Sequence, residues 1–198
     1  MIISVLSFKG GQAKSTTAIH LAGFLAQRGS TAVIDADSNE SALTWSKRGQ
    51  LPFDVVPEEE TASAARTHDH LVIDSAARPE PRKVEAIARN SNLIVLPATA
   101  DALSLDVLRQ TIDSLRGIEA GKYRVLLTIC PPPPSHDAAD ARRLLEKAGL
   151  PLFSGQIPRA VAFQRAALMG SLVGDVPDPR AAECAAAYEA IGQEILKL

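Results

Sequence analysis

Two adjacent glycines join a predicted strand to a predicted helix near the start of the chain, and this junction constrains the fold more than any other stretch. Residues 2–7 form a short apolar run typical of a buried strand, and residues 17–28 have apolar positions at helix spacing. Gly10 and Gly11 allow the backbone between these elements to turn tightly and direct several N–H groups at one point. Because the helix start adds the positive end of its dipole, the junction is suited to an anion.

The residues after the glycines add a charge and a metal ligand. Lys14 supplies a mobile positive charge, and Ser15 supplies a hydroxyl that can bind Mg²⁺. The usual phosphate-loop pattern G-x-x-x-x-G-K-[ST] is not met, because Phe8 and Ala13 occupy its glycine positions. The pattern present is K-G-G-x-x-K-[ST], with an additional lysine at Lys9. The alternative is an ordinary Gly-Gly turn with two solvated lysines, and the rest of the chain has to distinguish the two.

Acidic residues follow two later predicted strands. Asp35 and Asp37 come after the apolar run 31–34, and Asp74 comes after 71–73. Ligands of open α/β sheets bind at the carboxyl ends of the strands, so we expect these carboxylates near the phosphate loop. There they can hold Mg²⁺ or orient an attacking water. Each acid alone also suits a polar strand end or a helix cap, and it is their order after the loop that favours the functional interpretation.

Strands and helices alternate along the chain, with no internal repeat and no interdomain linker. This pattern predicts an α/β fold, a mostly parallel twisted sheet with helices on both faces, in one domain over residues 1–198. We expect Pro97 to close the fifth strand and Trp45, the single tryptophan, to pack beneath the loop after Asp37. We interpret His20, inside the first helix, as a structural histidine. The predicted strands are 2–7, 31–34, 53–56, 71–74, 93–96, 124–129 and 153–157.

Composition excludes several classes of protein. Of 198 residues, 46% are apolar and 22% charged, which is ordinary for a soluble globular protein. Cys130 and Cys184 are the only cysteines, so we expect no disulfide framework and a reducing cytoplasm. No apolar run approaches the roughly 20 residues that span a bilayer. Met1 leads directly into the first strand, so we expect no signal peptide and no membrane association.

The formal net charge of −2 hides an uneven distribution of charge. Residues 141–170 carry five basic residues and one acidic residue, a local excess of +4. A local basic patch can bind phosphate backbones even when the whole chain is acidic. Arg159 and Arg165 are the candidate DNA contacts in this stretch, and exposed charges at helix ends are the alternative explanation.

With these motifs in order, the chain resembles the ParA/MinD family of P-loop ATPases, which carry a deviant Walker A motif. The resemblance implies that Lys14 is the Walker lysine and that Lys9 is the signature lysine, which reaches the partner's nucleotide across an ATP-dependent homodimer. It also implies that Asp37 positions the hydrolytic water. Mg²⁺ would be held by Ser15 and Asp74, with Asp35 supporting the metal shell. The implied ATP-binding residues are Lys9, Gly10, Gly11, Gln12, Ala13, Lys14, Ser15 and Thr16.

The resemblance further implies a switch that cycles on DNA. The ATP-bound dimer would bind nucleoid DNA non-specifically, and an adaptor of the ParB or ParG type would stimulate hydrolysis and release it. The expected function is segregation of plasmid or chromosomal DNA by a cytoplasmic, nucleoid-associated protein. An McdA-like role in distributing carboxysomes, with an McdB-like adaptor, is the alternative, and the Gly-Gly-Gln-x-Lys loop is similar to that type. A metabolic enzyme such as a dethiobiotin-synthetase-like ligase also stays open, although Lys9 argues against it.

Some loops depart from the family pattern. Ser38 and Asn39 replace the usual Pro-Gln after Asp37, and residues 75–78 replace the usual sequence after Asp74. Residues 128–130 lack the asparagine that often contacts the base, so no adenine contact is assigned there.

Overall fold

A single sheet of six parallel strands forms the centre of the molecule, in the order β3-β2-β4-β1-β5-β6. The computed structural model describes residues 1–115 and 122–198. Strands next to each other in sequence are often not neighbours in the sheet, so helices cross its faces to connect them. The strands are β1 (Ile2–Val5), β2 (Thr31–Ala36), β3 (Asp54–Pro57), β4 (His70–Ser75), β5 (Leu93–Thr99) and β6 (Tyr123–Thr128).

Helices follow the strands in the alternation that the sequence predicts. Short 3₁₀ turns lie at Glu58–Glu60 and at Val173–Asp175. The α-helices there are α1 (Lys14–Ala26), α2 (Ser41–Ser46), α3 (Thr61–Thr67), α4 (Pro81–Asn90), α5 (Ala102–Ser114), α6 (Asp137–Lys147), α7 (Val161–Met169) and α8 (Ala181–Ile195).

Successive side chains of each strand enter different layers of the core, as the pleat requires. Val33 of β2 and Val95 of β5 pack with α1, α2, α7 and α8 on one face of the sheet. Leu96 packs on the opposite face with α4, α5 and α6. Ile34 also lies on that face, in a smaller cluster under α3. Helices therefore cover both faces, and the predicted α/β class is confirmed.

Two predictions about strands were wrong. Pro97 does not close β5, because the strand continues to Thr99 and pairs with β6 throughout. β1 pairs with β5 only as far as Val95, so beyond that residue the β1 side of β5 has no partner strand. The N–H that Pro97 lacks would lie on this side, and its absence therefore removes no hydrogen bond from the sheet. Residues 153–157 do not form a strand. Isolated bridges at Leu152 and Pro158 follow β6 instead.

No helix in residues 1–115 and 122–198 is long and apolar enough to cross a membrane. That residues 1–198 form one domain stays a prediction.

Candidate nucleotide-binding site

The loop between β1 and α1 takes a shape that only a few residue types adopt easily. Gly11 has φ of 77°, and Ala13 has φ of 60° and ψ of 35°, so both are left-handed. Helix α1 begins at Lys14, and the carbonyl of Ala13 accepts the N–H of Thr17 at 2.9 Å. A methyl group in the left-handed region costs about 1 kcal/mol compared with glycine. The sequence left the effect of Ala13 open, and the structure shows that Ala13 adopts the glycine conformation at this cost.

Lys14 lies almost fully buried at the floor of the loop, 4.0 Å from Oδ2 of Asp37. Oδ1 of Asp37 accepts the backbone N–H of Asn39 at 3.0 Å and its side-chain amide at 2.9 Å. This turn fixes the carboxylate beside the lysine. The structure therefore brings together the predicted Walker lysine and the predicted water-positioning acid.

Asp35 and Asp74 are paired residues of neighbouring parallel strands, so they lie side by side. Both oxygens of Asp35 accept backbone N–H groups, from Asp37 at 3.2 Å and from Leu43 at 2.9 Å. Asp35 thus holds the loop after β2 against α2. Its role in a metal shell stays a prediction.

Asp74 differs from Asp35 because it is fully buried and neither of its oxygens has a hydrogen-bond partner within the described residues. Burial raises the pKa of Asp74 to about 7, and the adjacent Asp35 raises it further. The nearby Ser15 hydroxyl and the charge of Lys14 lower that pKa in part. A buried carboxylate that lacks a partner has a large unmet demand for a cation.

These residues fit Mg²⁺. The ion prefers oxygen ligands and is usually held by one or two carboxylates, together with water and phosphate oxygens. Asp74 and the Ser15 hydroxyl offer that donor set. No cluster of three or more His, Cys, Asp or Glu that could hold a metal occurs in the parts of the chain that the structure describes. Any Mg²⁺ here would therefore depend on the phosphates for its remaining ligands.

A cavity of about 490 Å³ opens above the loop. It is lined by loop residues 10–16 other than Gln12, by Asp37 and Asn39, by α2 and by Ala77. A second cavity, of about 340 Å³, shares Gly11 and Ala13 with it and continues between α1 and α7. Together they form an elongated cleft, with a polar end at the loop and a more apolar end near Phe163.

Residues 3–173 match the CobQ/CobB/MinD/ParA nucleotide binding domain. The chain belongs to this family. It is 31% identical over 201 residues to a maintenance of carboxysome distribution protein A from Gloeobacter kilaueensis, covering 98% of this chain and 93% of that protein. It is 24% identical to a ParA protein from Rhizobium radiobacter, covering 82% of this chain and 80% of that protein.

The fold also matches a solved structure of the family. An aspartate-to-alanine variant of McdA from Cyanothece, in complex with ATP, superposes with a TM-score of 0.74 at 19% identity, over 96% of each chain. The predicted membership in the ParA/MinD group is therefore confirmed. Proteins of that group are ATPases.

A cluster of aromatic side chains packs beneath the start of α1, next to the loop between β1 and α1. The ring of His20 stacks on Tyr188 with centroids 4.8 Å apart and meets Trp45 and Phe163 edge-on. Its Nδ1 donates to the carbonyl of Thr16 at 2.7 Å, and its Nε2 accepts the N–H of Val173 at 3.0 Å. Burial lowers the pKa of His20 to about 4. His20 is therefore a neutral structural residue, and Trp45 is buried near the loop, both as predicted.

Lys9 and the side chain of Gln12 point away from the cleft. The Nζ of Lys9 lies 2.9 Å from Oγ of Ser104 and 3.3 Å from Oδ1 of Asp101. The amide of Gln12 accepts the N–H of Thr99 at 2.8 Å and donates to Ser104 at 3.2 Å. Both side chains therefore contact the junction between β5 and α5, while Lys14 and Asp37 face the cleft.

Sequence reasoning missed this junction. Asp101 caps α5 by accepting the N–H of Ser104 at 3.0 Å. Hydrogen bonds from Ser104 and Thr99 hold the pKa of Asp101 well below its usual range. The available signal was the Asp-x-x-Ser spacing ahead of a helical pattern, which is typical of a helix cap. It predicts the cap but does not indicate that Lys9 binds there.

A second missed residue is Arg78, after the end of β4. It has φ of 58°, and its Nε donates to the carbonyl of Phe8 at 3.0 Å. The segment after Asp74 is thereby bound to the phosphate loop. No sequence signal indicated this contact.

The candidate DNA contacts occupy different surroundings. Arg165 pairs with Asp178 at 2.9 Å and donates to the carbonyl of Pro177. Arg159 lines the apolar part of the cleft, and its side chain has no ion pair or hydrogen bond with the described residues. The structure does not bring the two arginines into one cluster of free cations.

Proposed function

We propose that this protein is an ATP-hydrolysing positioning switch that pairs with a second copy when ATP is bound. The observation that carries the proposal is the convergence of Lys14, Asp37 and the partnerless Asp74 at an open phosphate loop. Phosphoryl transfer needs positioning and charge neutralisation more than covalent chemistry, and these residues supply both.

Each residue has a distinct task in that reaction. The N–H groups around Gly10 and Gly11 and the ammonium of Lys14 would bind the β- and γ-phosphates. Ser15 and Asp74 would hold Mg²⁺, which supplies neutralisation of charge on the phosphate oxygens when bound. Asp37, fixed by Asn39, would orient the attacking water. The base would lie in the apolar end of the cleft, near Phe163 and Pro158.

Dimer formation would control both ATP hydrolysis and DNA binding. Lys9 would enter the partner's site and complete it, so that hydrolysis depends on pairing. Two copies of a DNA-binding face bind more tightly than one through avidity. Arg159 and Arg165 remain the proposed DNA contacts, and Arg159 is the stronger candidate because Arg165 is already neutralised by Asp178. Release would follow hydrolysis stimulated by an adaptor of the ParB, ParG or McdB type.

The cargo has two candidates. Segregation of plasmid or chromosomal DNA is favoured by the similarity to the Rhizobium radiobacter ParA protein. Distribution of carboxysomes or similar protein bodies is favoured by the higher identity, over nearly the full length, to the carboxysome distribution protein. Co-expression with a fluorescent plasmid or a carboxysome shell would separate them. The cargo whose even spacing requires Asp37 is the true one.

Separate substitutions test binding and turnover. Lys14→Ala should abolish ATP binding, measured by the fluorescence of Trp45, which lines the cleft. Asp37→Ala should bind ATP and lose at least 100-fold in turnover, because only the water is misplaced. Lys147→Ala, an exposed lysine of α6, is the matched control and should match the wild type. Normal turnover in Asp37→Ala would refute the assigned role.

Lys9→Ala distinguishes the switch from a metabolic enzyme. A switch should lose hydrolysis together with ATP-dependent pairing, whereas a ligase-type enzyme should keep most of its turnover.

Arg159→Glu tests the DNA contact. It should abolish ATP-dependent retention on DNA at low salt while leaving ATP binding intact, which must be measured in parallel because Arg159 lines the cleft. Arg66→Glu, at an exposed position of α3 outside residues 141–170, is the charge-matched control. Unchanged retention in the Arg159 variant would place the DNA site elsewhere.

A further inference from the structure

A groove between α3 and α4 leaves part of the sheet centre incompletely covered. β4 is the third of the six strands, a position at which a parallel sheet is normally buried on both faces. Leu71 of β4 and Ile34 of β2 follow this rule, with 3% and 1% of their surface exposed. Ile73, two residues further along β4, is only partly buried. The groove above these side chains has a volume of about 350 Å³.

Small side chains on the two facing helices leave this space open. Ala65 of α3 and Ala86 of α4 line the walls, and both are exposed. Ile2, Ile73 and Ile87 provide much of the apolar surface. Binding sites for small molecules are concave and mostly apolar, with volumes from about 300 Å³ upward. The groove therefore has the size and lining of a small-molecule site.

The polar side chains that line the groove have partners within the protein. Nζ of Lys83 donates to both carboxylate oxygens of Glu58, at 3.0 and 2.9 Å. The hydroxyls of Thr61 and Ser75 and the amide of Asn90 donate to backbone carbonyls at 2.6, 2.8 and 2.8 Å. A charged ligand would have to compete with the ion pair for one of its members. Because the cation and the carboxylate already neutralise each other, the molecule that complements this groove is uncharged.

The same ion pair restricts the shape of what can enter. Glu58 precedes α3, and Lys83 lies in the first turn of α4, so their contact joins the two walls across one end of the groove. A helix with its side chains is about 10 Å wide and cannot lie along a groove that is bridged in this way. A compact small molecule can occupy the space beneath the bridge.

The segment that follows β4 separates this groove from the cavity above the phosphate loop. Ala76 and Pro79 line the groove, whereas Ala77 lines the cavity. Arg78, in the same segment, donates to the carbonyl of Phe8 in the loop at 3.0 Å. A molecule packed against this segment from the groove would hold it where it is bonded to the loop and where the cavity is open to a nucleotide.

We propose that the groove between α3 and α4 binds an uncharged, apolar small molecule, which strengthens nucleotide binding at the loop through the segment that separates the two sites. The coupling rests on the nucleotide binding proposed above, whereas the groove itself does not depend on it. Coupling between two sites is reciprocal, so the nucleotide should strengthen binding of the small molecule by the same factor. We expect a factor of about five.

Two dyes test the site and its preference for an uncharged ligand. N-Phenyl-1-naphthylamine is uncharged, and its fluorescence rises in apolar surroundings. 8-Anilinonaphthalene-1-sulfonate has the same ring system with an added sulfonate and is the matched control. The uncharged dye should bind the nucleotide-free protein about tenfold more tightly. Ala86→Phe fills the groove and should abolish this binding, whereas Ala139→Phe, the same change at an exposed position of α6, should not alter it.

Calorimetry with a non-hydrolysable ATP analogue measures the coupling. A saturating concentration of the uncharged dye should lower the dissociation constant of the analogue by about fivefold in the wild type and in Ala139→Phe, but not in Ala86→Phe. Weaker analogue binding would place the dye in the nucleotide cleft and overturn the proposal. Equal affinity for both dyes, or dye binding that survives Ala86→Phe, would mark a non-selective apolar surface and overturn it as well.

The remaining outcomes separate the groove from the proposed function. An unchanged affinity for the analogue with the dye bound would refute the coupling. If the wild type binds no analogue, the proposed function fails, and the dye measurements still decide the groove. A nucleotide-free dimer in analytical ultracentrifugation that Ala86→Phe lacks would show that a second copy covers the groove, against the proposal. Should Ala86→Phe fail to fold, Ala65→Phe on the opposite wall decides by the same criteria.

Discussion

Replacing Asp74 with asparagine should make the protein more stable in the absence of ligands, even though it removes a proposed metal ligand. Asp74 is fully buried, and both its oxygens lack a hydrogen-bond partner among the described residues. Its pKa is raised from 3.8 to about 7, first of all by burial. The folded protein therefore binds this proton more tightly than the unfolded chain, and the stability that results is complete below pH 3.8 and lost as the pH rises through about 7.

The size of the effect follows from the shift in pKa. Each unit corresponds to about 1.4 kcal/mol, so an ionised Asp74 costs about 4 kcal/mol at alkaline pH. An asparagine amide without a partner costs about 1–3 kcal/mol at every pH, so the net gain at about pH 8 is smaller. The cost of the unpaired amide does not vary with pH, so it does not affect how the stability difference between the variant and the wild type changes with pH. Between about pH 5 and pH 8, the advantage of Asp74→Asn over the wild type should grow by about 3 kcal/mol.

Urea unfolding followed by Trp45 fluorescence, in EDTA and without nucleotide, measures this difference. Asp106→Asn, an exposed carboxylate, is the control, and its stability should run parallel to that of the wild type. The Asp74 variant should also lose the stabilisation that Mg²⁺ and ATP together confer on the wild type. A stability difference that does not change between about pH 5 and pH 8 would show that this carboxylate is not desolvated, and the argument for a cation site at Asp74 would fail.

Three further outcomes are expected from the same structure. The pKa of His20 is lowered to about 4, so between about pH 6.5 and 4 only the unfolded chain is protonated there. In urea titrations, the stability of the wild type should therefore fall by about 3 kcal/mol relative to His20→Gln over this range, and should stay level with that of the exposed His136→Gln variant. Ala13→Gly should raise the free energy of unfolding by about 0.5 kcal/mol, because the left-handed strain that it relieves exceeds the conformational entropy that it adds to the unfolded chain. Its control, Ala186→Gly in α8, should lower the free energy of unfolding by about 1 kcal/mol. A methyl group at Gly10 would lie in open space, so the thermal unfolding temperature of Gly10→Ala should equal that of the wild type. Calorimetry should show weaker ATP binding, because Gly10 lines the cavity where the phosphates would lie.

The overall fold was predictable because local patterns and topology agree. Buried strands alternate with helices, and a Gly-Gly junction after the first strand leaves few arrangements other than a parallel sheet with the loop at its carboxyl edge. The pairing of Asp35 with Asp74 follows directly from that sheet order. The proximity of Lys14 and Asp37 was therefore within reach of the sequence.

The errors have a common physical cause, which is that strand ends depend on neighbours. Pro97 looks like a strand breaker in isolation, but the edge it presents no longer faces β1. Residues 153–157 have the composition of a strand, yet the isolated bridges in this part of the chain lie at Leu152 and Pro158, just outside them. Whether a segment pairs regularly is decided by the partner strand, and sequence periodicity contains no information about it.

The contacts of Lys9 and Arg78 could not be predicted for a related reason. Lys9 meets Asp101 across 92 positions of the chain, and Arg78 meets Phe8 across 70. Both contacts form because the sheet places β1 between β4 and β5, so the loops after those three strands lie next to one another. A motif shows which residues carry charge, but only the assembled sheet shows where each charge is held in the resting protein.

Asp74 and Ala13 act in the same direction on the free energy of the ligand-free protein. Asp74 is buried without a hydrogen-bond partner among the described residues, and Ala13 is held in a left-handed conformation. The first arrangement raises the free energy of the ligand-free protein, and a bound cation would relieve it. The second also raises that free energy, by about 1 kcal/mol, and no ligand is needed to relieve it. The stability gained by Asp74→Asn and the stability gained by Ala13→Gly therefore measure two separate costs, of which only the first depends on pH and on a bound cation.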